Sequence, residues 1–299
     1  MSTVGIIDIG TNTILSVKAS AESNKIIILS DNRYHYRAGR RLDDIGNISS
    51  EYKTGMKRAL SRALNALGDC PEIKIIATEV LRKPKDGQLF ADELAGESGY
   101  TIEIINPQRE AELSFKGATY GLDESDERIT VIDIGGGSTE LAVGIDGQLD
   151  RWSGVKLGAV TVCETVGSEQ SPVDYLSLAG DVFSDSDFEE LLNPKPARMI
   201  VVGGSAVAIA AILADLKEFD AEKIQGFVIN RDILTLLLHN LGSMSIDKRR
   251  SVMPFDSQRA DIIVGGGAII LAFMRKYGFE TIEISTNGLR HGYLLEHFS

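Results

Sequence analysis

Short runs of β-branched and aliphatic residues recur along the chain, each closed by glycine or polar residues. They alternate with longer segments whose apolar positions repeat every three to four residues. The first run, Val4-Gly-Ile-Ile-Asp-Ile, ends in Gly10-Thr-Asn-Thr and resumes as Ile14-Leu-Ser-Val, the strand, turn and strand of a hairpin. Lys25 to Ser30 extends the strand pattern, and a basic segment from Arg33 to Arg41 precedes a helix beginning near Ser49 or Ser50. In that helix Met56, Ala59, Leu60, Ala63, Leu64 and Leu67 fall at helical spacing, and Gly68 stands where a C-cap belongs. Ile73 to Ala77 reads as a buried strand, Gln88 to Leu94 as a short helix, Thr101 to Ile105 as a strand, and about Arg109 to Tyr120 as a helix.

The hairpin pattern returns in Ile129-Thr-Val-Ile-Asp133-Ile, followed by Gly135-Gly-Gly-Ser-Thr-Glu140-Leu-Ala. One such hairpin could be chance; two of the same construction imply a duplicated domain. Beyond it the pattern predicts strands at 129–134, 139–145, 148–154, 199–202 and 280–285. Helices are predicted near 172–181, 205–216, 231–241 and 257–277, with a terminal helix from about Leu289. Strands alternating with helices define an α/β fold. The polar stretch Asp123 to Glu127 separates the copies, so the expected domains are 1–124 and 125–299, with the terminal helix a candidate to pack back on the first.

Composition narrows the function. A chain of 299 residues has the length of two domains, and 43% apolar with 25% charged residues is the balance of a globular protein. The net charge of −12 opposes sequence-independent binding to nucleic acid or anionic lipid, so neither is an expected partner, and a polyanionic ligand needs a local basic site. Cys70 and Cys163 form no CxxC pair, which argues against a disulfide framework or thiolate zinc site and for a reducing, cytoplasmic setting. No signal peptide pattern opens the chain, and the apolar stretch Ile262 to Met274 is glycine-interrupted and shorter than the ~18 residues of a membrane helix. The four histidines lack metal-ligand spacing, and neither a Walker A loop nor a Gly-x-Gly-x-x-Gly site is present.

Glycine-rich hairpin turns admit a phosphate close to the backbone, with N–H groups and flanking hydroxyls as donors. Gly10, Thr11, Asn12 and Thr13 supply this in the first copy, and Gly135, Gly136, Gly137, Ser138 and Thr139 in the second. A third candidate is Gly203-Gly204-Ser205, where a strand turns into a helix. Carboxylates repel phosphate, so Asp8, Asp133 and Glu140 at these turns imply a hard cation, Mg²⁺ or another divalent ion, bridging carboxylate and phosphate oxygens. A lone turn of this kind reads as well as a structural hairpin with an Asp cap. Two copies plus a third turn favour phosphate.

Asp8-Ile-Gly10-Thr-Asn-Thr13, Asp133-Ile-Gly-Gly-Gly-Ser-Thr-Glu140-Leu, Val202-Gly-Gly-Ser-Ala206, Arg259-Ala-Asp-Ile-Ile263 and Gly288-Leu-Arg290-His-Gly292 together resemble the exopolyphosphatase and guanosine pentaphosphate phosphohydrolase (Ppx/GppA) family. The resemblance runs in order along the whole chain and implies two ribonuclease-H-like domains of the actin-like ATPase superfamily with an interdomain cleft, in the short form without an HD-like domain. It implies Mg²⁺-dependent release of orthophosphate from inorganic polyphosphate, with the guanosine pentaphosphate reaction or a weakly catalytic polyphosphate- or nucleotide-binding regulator as alternatives. A sugar kinase or actin-like ATPase stands further off.

The family's activating glutamate lies in a Gly-x-Glu-Glu-Ala segment; here the stretch is Asn106-Pro-Gln-Arg109-Glu110-Ala111, which makes Glu110 the expected base and puts Arg109 in place of the first glutamate. By the same resemblance Asp133 and Glu140 hold the cation, Asp8 organises the first loop and Arg259 approaches substrate phosphates. The basic cluster Arg33, Arg37, Arg40 and Arg41 is a candidate polyphosphate channel. Two further departures are Leu15, where family members commonly carry Arg or His, and Thr161, where an Arg often follows Leu-Gly-Ala-Val. Family members are often dimers, so a homodimer is among the expectations.

Overall fold

The computed structural model describes residues 3–22, 25–36, 42–43, 45–122, 127–145, 147–167 and 169–298. Arg37, Arg40 and Arg41 lie outside them. The chain packs into two units, Met1–Leu113 with Leu289–Ser299, and Ser114–Gly288.

In the first unit, β1 (Thr3–Ile9), β2 (Thr13–Glu22) and β3 (Lys25–His35) form an antiparallel meander. Helix α1 (Ser50–Leu67) leads to β4 (Glu72–Ala77), the turn α2 (Glu79–Arg82), α3 (Gly87–Ser98) and β5 (Ile102–Ile104). The sheet order is β3-β2-β1-β4-β5, with β4 and β5 parallel to β1. Helix α1 starts and stops where the sequence placed its caps: Ser49 Oγ accepts from Tyr52 N, and Gly68 closes it at φ 55°. Its buried stripe packs with Ile7, Ile9, Ile14, Tyr34 and Tyr36 on one face of the sheet. The opposite face, with Val4, Ile6 and Val17, is covered by Leu113 and by Leu289 and Leu294 of the terminal helix Leu289–Phe298. Burying side chains of this size contributes about 1.5–3 kcal/mol each.

Helix α4 (Pro107–Thr119) runs through the division. Leu113 belongs to the first unit's core, and the terminal helix comes so near that a Cβ on Gly292 would stand 2.0 Å from the Leu113 carbonyl oxygen. Phe115 packs instead on Gly144 of the second unit, where an added Cβ would stand 2.7 Å from its ring. The units therefore part between Leu113 and Ser114, upstream of the boundary read at 124/125, because the two halves of one helix are buried in different cores. The terminal helix belongs to the first.

The second unit repeats the hairpin in β6 (Ile129–Ile134), β7 (Thr139–Ile145) and β8 (Gln148–Val155). It continues through α5 (Ala159–Val166), α6 (Pro172–Ser184), α7 (Phe188–Leu191), β9 (Arg198–Val202), α8 (Gly204–Leu213), α9 (Ala221–Ile224), β10 (Phe227–Asn230), α10 (Arg231–Gly242), α11 (Ile246–Val252), α12 (Ile263–Tyr277) and β11 (Thr281–Ile284). The sheet order is β10-β11-β9-β6-β7-β8. The helix read over 257–277 divides into a 3₁₀ segment, Pro254–Arg259, and α12, with Asp256 in a non-helical conformation. Helix α12 is buried almost throughout: its Gly265, Gly266 and Gly267 lie against Cys163, Ser205 and Leu238, so its small residues serve the core.

Candidate active site

The first loop joins β1 to β2, with Gly10 N–H donating to Thr13 O at 3.2 Å. Two tyrosines fix its direction. Tyr36 donates its hydroxyl to Gly10 O and Tyr52 donates to Thr11 O, while the two rings meet edge to face with centroids 5.2 Å apart. A trans peptide points its carbonyl and the following N–H in opposite directions. With these carbonyls turned toward the tyrosines, the N–H groups of Thr11 and Asn12 face the other way, as an anion-binding turn requires. Asn12 Nδ2 donates to Thr13 Oγ1 at 3.1 Å, and both side chains lie against His35 Nδ1.

The same sheet edge carries Glu110. Ile9 and Ala77 end β1 and β4 side by side, Thr78 N donates to Ile9 O at 3.4 Å, and Ile105 N donates to Ala77 O at 3.0 Å. The segment after β5 thus starts beside the first loop, at the carboxyl ends of parallel strands where α/β folds commonly bind ligands. Glu110 is buried in the first turn of α4, and Arg82 donates to its Oε2 from both terminal nitrogens at 3.2 Å. Arg109 turns elsewhere: its guanidinium forks onto the Glu296 carboxylate of the terminal helix, a structural clamp.

Asp8, Leu15 and Arg33 are directly opposite one another across β1, β2 and β3, and so share a sheet face. Where Leu15 carries no charge, the next strand in the same row carries Arg33.

The second loop achieves the first loop's orientation by other means. Gly135 N donates to Ser138 O at 3.0 Å, and the opening N–H groups of α5 take the loop carbonyls. Ala159 N donates to Gly135 O at 2.9 Å, and Val160 N and Thr161 N to Gly136 O at 2.8 and 3.1 Å. The Thr161 hydroxyl donates to Gly137 O at 3.4 Å and accepts from Gly158 N at 2.8 Å, so this residue serves the loop in place of a cation. The N–H groups of Gly136 and Gly137 are left facing away from α5. Gly158 must be glycine for this contact, since a Cβ there would lie 2.5 Å from Gly136 backbone.

Asp133 and Glu140 are opposite residues of the β6–β7 ladder and share a face, and the Glu140 side chain lies over Gly154, its partner on β8. Ser114 donates to Asp133 Oδ2 at 2.6 Å. Burial pushes the Asp133 carboxyl above its ordinary value, against the opposing pull of that hydrogen bond. Among the described residues no three His, Cys, Asp or Glu side chains converge as a metal centre. Two carboxylates on one face nevertheless fit Mg²⁺, which commonly takes one or two carboxylates and completes its shell with water and phosphate oxygens.

Asp133 is level with Val202 of β9, so the second loop and the Gly203-Gly204 turn lie side by side. Arg259 is buried with its guanidinium against Gly204, where a Cβ would stand 2.4 Å from Nη2. Its Nε donates to Asp256 Oδ2 at 2.9 Å, and its terminal nitrogens donate to no described residue. They remain available beside the N-terminus of α8, a pairing suited to an anion.

Two hydroxyls expected to face phosphate do not. Ser205 Oγ is buried against Gly266 of α12, and Thr139 Oγ1 donates to Leu157 O at 2.6 Å. Their neighbours remain: the first unit gathers Asp8, Gly10–Thr13, Arg33 and Glu110, and the second gathers Asp133, Gly135–Ser138, Glu140, Gly203, Gly204 and Arg259. Tyr36, Tyr52, Ser114 and the pairing role of Arg82 were not read from the sequence, because no motif marks residues that act on loop carbonyls or on another side chain.

Two α/β units, each opening on the same strand, glycine turn and strand, are the two-domain architecture of the actin-like ATPase and ribonuclease-H class. The model of the Ppx/GppA phosphatase family matches residues 15–299, and the chain belongs to that family of phosphoanhydride hydrolases. It is 26% identical over 324 residues to Exopolyphosphatase 2 of Mycobacterium tuberculosis, covering 99% of this chain and 98% of the relative. It is 24% identical to the guanosine-5'-triphosphate,3'-diphosphate pyrophosphatase of Pseudoalteromonas atlantica, over 96% of this chain and 56% of that protein. The crystal structure of an exopolyphosphatase from Cytophaga hutchinsonii has the same fold, with a TM-score of 0.88 at 21% identity over 99% of this chain and 97% of that one. The Aquifex aeolicus Ppx/GppA family member follows at a TM-score of 0.79 and 21% identity, over 99% and 97% of the two chains.

Proposed function

We propose that this protein is an exopolyphosphatase that removes the terminal phosphoryl group of inorganic polyphosphate as orthophosphate and leaves a chain one unit shorter. The observation that carries this reading is the pair of hairpin loops whose carbonyls are turned away, by two tyrosines in one and by α5 in the other, so that N–H groups are presented to an anion.

Glu110, held by Arg82, orients a water and takes its proton as the water oxygen attacks the terminal phosphorus. The loop N–H groups and Arg259 bind the non-bridging oxygens and stabilise the charge that grows on them. Asp133 and Glu140 are the residues that would hold Mg²⁺ or another divalent cation. When bound, such an ion supplies neutralisation of phosphate charge. Arg33, in the Asp8 row, binds phosphates further along the chain. Cys70 and Cys163, both buried and not joined in a disulfide, support a cytoplasmic setting, and no helix among the described residues is long and apolar enough to cross a membrane.

The Pseudoalteromonas relative supports a second reading, hydrolysis of guanosine pentaphosphate at its 5′ end. The test is orthophosphate release with Mg²⁺ from polyphosphate of short and long chain, guanosine pentaphosphate and ATP. Preferred turnover of polyphosphate is expected. Preference for guanosine pentaphosphate would establish the second reading. Binding without release from any of them would identify a sensor.

A further inference from the structure

Ser114 is a polar residue in an apolar turn of α4, between Leu113 and Phe115, and is almost wholly buried. A serine or threonine inside a helix usually returns its hydroxyl to the carbonyl four residues back. Thr119 of the same helix does so, donating to Phe115 O at 2.8 Å. Ser114 instead donates across to Asp133 Oδ2 at 2.6 Å, a short charge-assisted bond between two side chains of the second unit. Asp133 Oδ1 accepts no hydrogen bond from any described residue. The hydroxyl thus occupies one carboxylate oxygen, fixes the rotamer, and leaves the other oxygen on the sheet face shared with Glu140.

We infer that Ser114 is a positioning residue for the cation: it orients Asp133 so that Oδ1 is presented beside Glu140. The inference rests on the reading of Asp133 as a cation ligand. Carboxylate ligands are commonly held by such outer partners, whose loss costs about 10–100-fold in metal affinity. Burial alone would not explain the residue, since alanine fills the same space without stranding a hydroxyl.

The test is titration of the full chain with Mn²⁺ alone at pH 8, with free Mn²⁺ followed by electron paramagnetic resonance. The proteins are the native chain, Ser114→Ala, Ser114→Thr and Asp133→Asn, each checked for folding by its thermal transition. The inference predicts that Asp133→Asn abolishes the site, that Ser114→Ala weakens Mn²⁺ binding about ten-fold, and that Ser114→Thr, which keeps the hydroxyl, binds within about three-fold of the native chain. Native affinity in Ser114→Ala, with binding lost in Asp133→Asn, would overturn the role of Ser114 and leave the Asp133 reading intact. Native affinity in Asp133→Asn, or no binding by the native chain, would overturn the ligand reading and the inference with it.

Discussion

Arg82, half-buried, and Glu110, buried, form a pair in which both terminal nitrogens of the arginine converge on one carboxylate oxygen at 3.2 Å, while Arg82 Nη1 also donates to Ile105 O at 2.6 Å. The arginine thereby ties α2 to the segment that launches α4 and holds the proposed base in one orientation. Arg82→Gln should lower kcat by about ten- to a hundred-fold, since a misplacement of about 1 Å costs that order, and should change KM much less. Steady-state orthophosphate release at saturating Mg²⁺ measures both. Unchanged kcat would show that Glu110 needs no such support.

Tyr36 and Tyr52 each satisfy a carbonyl of the first loop, and neither hydroxyl is replaced by phenylalanine. Tyr36→Phe and Tyr52→Phe should each cost about 1–3 kcal/mol of stability, the usual penalty for stranding a buried polar group. Both should raise KM for polyphosphate as the loop loses its fixed direction. Denaturant unfolding and initial rates give the two readouts on the same preparations.

Asp133 is held above its ordinary pKa by burial. A carboxyl whose pKa is raised on folding binds its proton more tightly in the folded state, so it contributes stability that is fully present below its unfolded pKa and is lost as pH rises through the raised folded one. At neutral pH its charge is a burden on the chain without a cation. Asp133→Asn should therefore raise the melting temperature in the presence of a chelator while abolishing activity. Mg²⁺ should stabilise the native chain and not the variant, as a calorimetric comparison would show.

On the terminal helix, burial and the neighbouring Arg290 push His291 down to about 3, with Asp31 pulling weakly the other way. Burial would raise Asp31, but the Arg290 guanidinium, 2.7 Å from Oδ2, holds it below its ordinary value. Below pH ~6.5 the unfolded chain protonates this histidine and the folded chain does not, so stability falls with pH by about 1.4 kcal/mol per unit. The histidine contribution is complete above that pH and disappears toward pH 3, and the Asp31 contribution, present above its ordinary pKa, is lost as pH falls through its depressed one. Urea unfolding across pH 4–8 should show this slope, and His291→Gln should flatten it.

Much of the fold was legible because it rests on local signals. Ser49 and Gly68 cap α1, the Asp-Ile-Gly turns mark both hairpins, and alternating strands and helices fix the class. The boundary was less so, because α4 is one uninterrupted helix and only tertiary packing assigns Leu113 and Ser114 to different cores. The break after Arg259 was hidden for a similar reason: the apolar pattern continues through Ile262, while the approach of Arg259, which pairs with Asp256 three residues before it, to Gly204 is a long-range fact. At the site, the backbone donors were announced by glycine. Thr161 looked like a lost cation, although its hydroxyl caps the turn that seats the second loop. Thr139 and Ser205 looked like ligands, although their hydroxyls turn inward.

The most direct test of the account is the Glu110→Gln variant, which keeps the shape of the side chain and removes its capacity to take a proton. Orthophosphate release from polyphosphate with Mg²⁺ should fall by about 10²–10⁴-fold, the usual contribution of general base catalysis, while polyphosphate binding measured by calorimetry stays within about three-fold of the native value. Release at the native rate from a folded Glu110→Gln protein would contradict the assignment of the base and the mechanism built on it.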